Sequence, residues 1–213
     1  FTIPPYGTVN IHASLLPAYR GAAPINRAII NGEEATGITT FLIDEGMDTG
    51  DILVQRSTPI GKDETAGELE ARLAGLGAEV IVETIEGLSS GTLEPRPQPP
   101  TGASLAPRLS RDDGRIDWER PAAEIHNLVR GTNPWPGAWT KLGGERVKIH
   151  RTALTGAGRG KISPGAIALP ETGRLLVGCG DELIEITEIQ REGRARTDGS
   201  SFLNGIRTEK RFV

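Results

Sequence analysis

Cysteine is nearly missing from this 213-residue sequence: only Cys179 is present. A lone cysteine excludes an internal disulfide and cannot by itself build a cysteine-rich zinc site, which points to a reducing, intracellular compartment. Long apolar runs are also missing. None approaches ~20 residues, so no transmembrane span is expected. Histidine is scarce: His126 reads as part of a short helix and His150 as lying on the polar face of a strand, and neither has clustered cysteines or carboxylates at ligand spacing, which argues against a metal site. The chain opens Phe1-Thr2-Ile3-Pro4-Pro5-Tyr6-Gly7, with no initiator methionine, basic leader or apolar leader core. That start is not a signal peptide; it reads like the middle of a folded chain. No internal repeat is present.

What remains is the composition of a soluble globular protein, 37% hydrophobic and 24% charged, long enough for one or two domains. The net charge of -4 hides an asymmetry. Residues 1–108 carry 7 Lys+Arg against 14 Asp+Glu, whereas residues 109–213 carry 17 against 14. A basic second half suggests that only this half meets a polyanion, although a well-solvated surface explains the same excess.

Thr8-Val9-Asn10-Ile11-His12-Ala13 alternates polar and apolar residues, which predicts a strand with Asn10 and His12 on one face and Val9, Ile11 and Ala13 on the other. Pro17 ends the ladder, so the strand empties into a loop just past its polar pair, where open α/β sheets place their chemistry. Pro24 fits the first turn of a helix with Ile25, Ala28 and Ile29 on one face, ended by Gly32. Residues 37–43 and 52–60 read as strands, separated by an ordered turn over Asp44–Asp51. Thr65 and Glu68 have the spacing of a capping box and open the longest helix, with Leu69, Leu73, Leu76, Val80 and Leu88 along its stripe and Gly91 at its end. Gly75 and Gly77 lie inside that pattern, where close packing against a neighbour would account for them.

Five prolines fall between Thr92 and Pro107, which predicts an extended semi-rigid linker over residues 92–108 and a domain boundary there. Beyond it, Pro121 opens a short helix carrying Ile125, Leu128 and Val129, and Asn133-Pro134-Trp135-Pro136-Gly137 forms a rigid aromatic turn. Short alternating segments at 138–142, 146–154, 165–169, 174–177 and 182–189 predict a small antiparallel barrel. Asp198 fits the cap of a last helix with Phe202, Leu203 and Ile206. The tryptophans are expected to pack between domain and linker, with stacking on an unpaired base as the alternative. Gly156–Lys161 superficially resembles a phosphate loop, but no Ser or Thr follows the lysine, and a plain flexible turn is the simpler reading.

Asn10, His12 and Asp48 form the constellation with chemistry in it. Acyl transfer to an amine needs fixed donors for an oxyanion and a group to remove the ammonium proton. Asn10 and a protonated His12 supply donors; Asp48 can hold His12 charged and accept the proton. Taken singly, a strand histidine is an ordinary hydrogen-bonded residue and Asp48 an ordinary turn former.

The stretches Asn10-Ile-His-Ala-Ser-Leu-Leu-Pro17, Tyr19-Arg-Gly-Ala-Ala-Pro-Ile25 and Met47-Asp-Thr-Gly-Asp51 resemble the signature of the folate-dependent formyltransferases. Gly114-Arg-Ile-Asp-Trp118 and Asn133-Pro-Trp-Pro-Gly-Ala-Trp139 resemble the C-terminal domain of the methionyl-tRNA formyltransferases among them. The resemblance implies an α/β fold: residues 1–91 as the C-terminal half of a doubly wound, Rossmann-like catalytic domain, 92–108 as linker, and 109–213 as an OB-like barrel. It implies transfer of the formyl group of 10-formyltetrahydrofolate to initiator methionyl-tRNA, without a metal. By motif match Asn10 and His12 stabilise the tetrahedral intermediate, Asp48 assists proton transfer, and Ser14, Leu15, Leu16 and Pro17 meet the folate. The barrel would meet tRNA, with Lys141, Arg146, Lys148, Arg151 and Lys161 as phosphate contacts or as ordinary solvated strand residues. The family's first β–α units precede the Asn-x-His strand, so about the first third of the enzyme is expected to be missing and the fragment alone inactive. Arg108 stands where the family more often has lysine. A cytoplasmic monomer is expected. The alternatives are a sugar-nucleotide N-formyltransferase and a fragment that only binds tRNA.

Overall fold

The computed structural model describes residues 4, 6–168, 173–206 and 211–213. Its contacts divide the chain into two compact units, residues 1–29 with 33–109 and residues 30–32 with 110–213.

In the first unit the alternating stretch forms β1 (Val9–His12), followed by α1 (Pro24–Ile30), β2 (Ala35–Leu42), β3 (Ile52–Pro59) and α2 (Ala66–Ser90). The sheet order is β1-β2-β3, and both pairings are antiparallel. The α/β character matches expectation, but no parallel pair occurs among these strands. The reason lies in the turn between β2 and β3. It reverses the chain within nine residues, and a side chain on Gly50 would place its Cβ 1.6 Å from the Leu42 carbonyl oxygen. Phe41, Leu16 and Ile52 pack together over this reversal.

Helix α2 covers the other side. Thr65 accepts from the Glu68 amide, and Glu68 reaches back to the Thr65 amide at 2.8 Å, completing the capping box. Gly91 closes the helix in the left-handed conformation. Leu69, Leu73 and Val80 are buried against Ile38, Ile29 and Ala28. Gly77 is buried because a Cβ there would lie 3.4 Å from Ile11 and 3.8 Å from Ile38; Gly75 faces open space. Ile11 therefore points at α2 as its pattern predicts, yet it is 42% exposed. Among the described residues β1 pairs only with β2, so one edge of that strand stays open.

Residues beyond α2 run back along this same unit. Ile52 and Arg96 exchange two backbone hydrogen bonds of 2.8 Å, and Arg20 bridges Leu105 in parallel fashion. The Ala23 amide donates to the Ala106 carbonyl at 3.1 Å. The proline-rich stretch is a strap laid on the first unit.

The second unit holds α3 (Ala122–Gly131), β4 (Ala138–Leu142), β5 (Glu145–Gly158), β6 (Ile167–Ala168), β7 (Leu176–Gly178), β8 (Glu182–Arg191), β9 (Thr197–Asp198) and α4 (Gly199–Asn204). The antiparallel order is β4-β5-β8-β7-β6, with β9 on β8. Leu142 of β4 bridges Phe212, and Ala166 just before β6 bridges Arg211, so residues 211–213 join the two ends of the sheet. Val147, Ile149, Ile184, Ile186, Ile189 and Val177 fill the interior with Ile125 and Val129 of α3. Trp118 stacks on Phe212 at 5.6 Å and donates its indole N–H to Thr140 at 3.0 Å. Asp198 caps α4 through the Ser201 amide, as its position predicts.

Three expectations are corrected here. Gly156 to Gly158 continue β5 instead of forming a loose turn, and Arg159 ties the next turn to the Gly180 and Ile162 carbonyls. His150 is buried instead of lying on a polar face, because the β5–β8 register shifts between Ile149 and Arg151; its ring bonds Gln190 at 2.9 Å. Trp135 is not buried as a packing residue would be; it is 54% exposed. The expected strand end at Leu169 lies outside the described residues. No helix among the described residues is long and apolar enough to cross a membrane.

Candidate active site

His12 ends β1 with a ring only 6% exposed, edge-on to Phe41. Its Nε2 lies 2.8 Å from the Tyr19 carbonyl, and its Nδ1 lies 3.7 Å from Asp48 Oδ2. Both neighbours are acceptors. Tyr19 stands at hydrogen-bond distance from Nε2, while Asp48 lies beyond that distance from Nδ1, as a neighbouring carboxylate. Two loops from distant parts of the sequence thus meet one imidazole, and the separation from the carboxylate is less than a bridging water would require.

Asp48 sits in the left-handed region at φ 52°, an unusual conformation for a residue with a Cβ. Three sets of contacts hold it there. Its Oδ2 accepts from the Gly21 amide at 2.7 Å. Its turn is fastened by Asp44, which accepts from the Gly46 amide and the Thr49 hydroxyl. Its carbonyl accepts from Gln98 Nε2 at 2.8 Å.

Gln98 escaped the sequence reading. The same Nε2 also donates to the Gly50 carbonyl at 2.9 Å, and Oε1 accepts from Arg20 at 2.6 Å. Ser104, on the same strap, accepts from the Tyr19 amide at 2.9 Å, next to the carbonyl that holds His12. The strap therefore fastens both site loops from behind.

Asn10 lies two residues before His12 on the same face of β1. Its Oδ1 accepts from the Ile11 amide at 2.9 Å, which leaves the Nδ2 group as its free donor. The arrangement collects one amide donor, one imidazole and one carboxylate at the mouth of a strand.

The loop after β1 divides into structural and accessible residues. Ser14 is fully buried, donates to the Ala18 carbonyl at 2.6 Å, and its own carbonyl accepts from Thr39. Leu16 is buried with Phe41 and Ile52, its carbonyl held by Gln55 at 2.7 Å. Leu15 and Pro17 are half-buried and keep side-chain surface for a ligand. No cluster of His, Cys, Asp or Glu suited to a metal ion occurs among the described residues.

Of the expected basic contacts, Arg146 and Lys148 share one cleft in the second unit, together with Arg111 and Arg191, which the sequence reading did not select. Lys141, Arg151 and Lys161 do not line it.

Two family models match the sequence: formyl transferase over residues 1–85, and formyl transferase, C-terminal domain, over residues 108–207. The methionyl-tRNA formyltransferase of Pelobacter propionicus is 50% identical over 95% of this chain and that of Solibacter usitatus 50% over 95%. The chain spans 63% and 64% of the length of these two relatives. A solved N-formyltransferase from Helicobacter canadensis, in complex with folinic acid and dTDP-3-aminofucose, superposes with a TM-score of 0.70 at 25% identity, over 86% of this chain and 65% of its own.

Proposed function

Because the chain belongs to the formyl transferase family, we propose that it carries part of an enzyme transferring the formyl group of 10-formyltetrahydrofolate to the amine of initiator methionyl-tRNA. The observation that carries this reading is the imidazole of His12, set 3.7 Å from Asp48, with the Nδ2 donor of Asn10 two residues earlier on the same strand face. The 50% identity to methionyl-tRNA formyltransferases supports the choice of acceptor.

The methionyl nitrogen attacks the formyl carbon. Negative charge gathers on the formyl oxygen and returns to re-form the carbonyl as the bond to the folate nitrogen breaks. That nitrogen keeps the bonding pair and takes up the proton the attacking amine gives to Asp48. Asn10 donates its N–H to that oxygen. His12, whose two nitrogens face Tyr19 and Asp48, contributes the positive charge of an imidazolium. Asp48 has its Oδ2 engaged by Gly21 and uses Oδ1 for the ammonium proton. Leu15 and Pro17 present the surface for the folate ring, while Ser14 and Leu16 hold the loop's shape. The second unit, closed through residues 211–213, is an OB-like barrel that meets the tRNA. A cytoplasmic monomer suits this role.

Assayed in the whole protein with charged initiator tRNA, His12→Ala and Asn10→Ala should each lower kcat at least ~100-fold with folate affinity nearly unchanged. Normal turnover in either variant refutes the oxyanion assignment. The superposition on a sugar N-formyltransferase favours a second reading, transfer to an aminosugar nucleotide. Running both acceptors side by side decides between them.

A further inference from the structure

In the second unit, alternation along β5 sends Val147 and Ile149 into the core and leaves Arg146 and Lys148 on the outer side. Trp139 and Gln190 stand opposite Lys148 on the two neighbouring strands. The Arg146 guanidinium lies 3.9 Å over the Trp139 ring, and its Nε is buried without a hydrogen-bond partner. Arg146, Lys148 and Gln190 line a cleft of about 380 Å³ together with Arg111, Trp135, Arg191 and Glu192, and Trp139 supports Arg146 from beside it. Arg191 is shared with Glu145 at 3.6 Å, but no ion pair engages Arg111, Arg146 or Lys148 among the described residues. Beside these cations, Trp135 leaves 54% of its surface exposed.

A flat indole held open next to Arg111, Arg146 and Lys148, which no ion pair engages among the described residues, has the two parts of a single-strand site: a face for a base and donors for a phosphate. The cleft volume sits at the small end of the range for small-ligand pockets, on the scale of one nucleotide. We propose that this cleft takes one unpaired nucleotide of an RNA, with its base stacked on Trp135 and its phosphate held by Arg146 and Lys148. The proposal rests on the tRNA-directed reading above for the identity of the RNA, and its test is separable from it.

Anisotropy of a labelled single-stranded RNA octamer, against a blunt duplex of the same sequence, tests the site on the 213-residue chain. The octamer should bind more tightly than the duplex. Trp135→Leu, which keeps apolar bulk without a ring, should weaken octamer binding about tenfold and leave duplex binding unchanged, whereas Trp135→Phe should stay within about threefold. Lys148→Gln should reduce the log–log salt slope by about 0.7. Thermal melts of each variant confirm the fold; should Trp135→Leu melt early, Trp135→Gln replaces it. Octamer affinity unchanged in the ring-less variant, equal losses on duplex and octamer, or an unaltered salt slope overturns the site. If the octamer behaves as expected but the whole protein formylates no methionyl-tRNA, the activity reading falls and the site stands. If formylation proceeds while Trp135→Leu binds like the wild type, the site falls alone.

Discussion

Asp48 and Tyr19 are the two non-glycine residues with left-handed backbones among those described, and one supplies the carboxylate while the other supplies the carbonyl that faces His12. Such conformations persist only where surrounding bonds over-determine them. Gln98 supplies two of those bonds, so it is a positioning residue. On the formyl-transfer reading proposed above, Gln98→Leu in the whole protein should lower kcat by roughly 10- to 100-fold with folate affinity nearly unchanged, because small misplacements of reacting groups are costly. A normal kcat would show that the turn holds Asp48 unaided. His150 offers a pH-dependent counterpart. Burial holds its imidazole below the ordinary range, the main cause ahead of repulsion from Arg196 and Lys148, although the Gln190 hydrogen bond and Glu188 oppose the shift. The unfolded chain then binds more protons than the folded one below the ordinary value near 6.5. Stability should therefore fall as pH drops from about 7 toward 5. Melting temperatures at the two ends of that range should converge in His150→Gln. Cys179 is fully buried, and burial pushes its thiol up to about 12. An alkylating reagent at pH 8 should leave it unmodified until the protein is denatured.

At the scale of elements, α2 carries the clearest local signals. Thr65→Ala removes the capping box and should cost about 1 kcal/mol in chemical denaturation. Gly75→Ala, in open space on the helix, should stabilise by up to about 1 kcal/mol. These features were legible because a cap, a stripe and a stop are set by residues within one or two turns of each other. The same holds for Asp198 on α4 and for the alternation of β4 and β8. Contacts made across long stretches of chain were not legible. Gln98 reaches residues 48 to 78 positions away, and nothing in its immediate surroundings marks it. Ile11 reads as a core residue by pattern, but an open strand edge leaves it exposed. His150 reads as a surface residue, but a register shift turns it inward. Asn10, His12 and Asp48 could be proposed from residue chemistry and motif together; that Asp48 and the Tyr19 carbonyl face one imidazole had to come from tertiary structure.

At the scale of the molecule, the second unit depends on its last described residues. Phe212 is 1% exposed, stacks on Trp118, and lies in the segment that bridges both ends of the sheet. Phe212→Ala should cost about 3–5 kcal/mol, read as an earlier denaturant midpoint. A smaller loss would show that the sheet holds its curvature through β4 to β8 alone.

The strap carries a lesson for dissecting the protein. A gene fragment that stops where α2 stops, at Ser90, would keep the sheet and its covering helix but delete Gln98, Ser104 and Ala106. The loops that meet at the imidazole would then have no backing. A fragment extended to Leu109 would keep that scaffold whole. The cut that looks natural on a diagram of helices and strands is therefore the one that would strip the backing from the loops around His12.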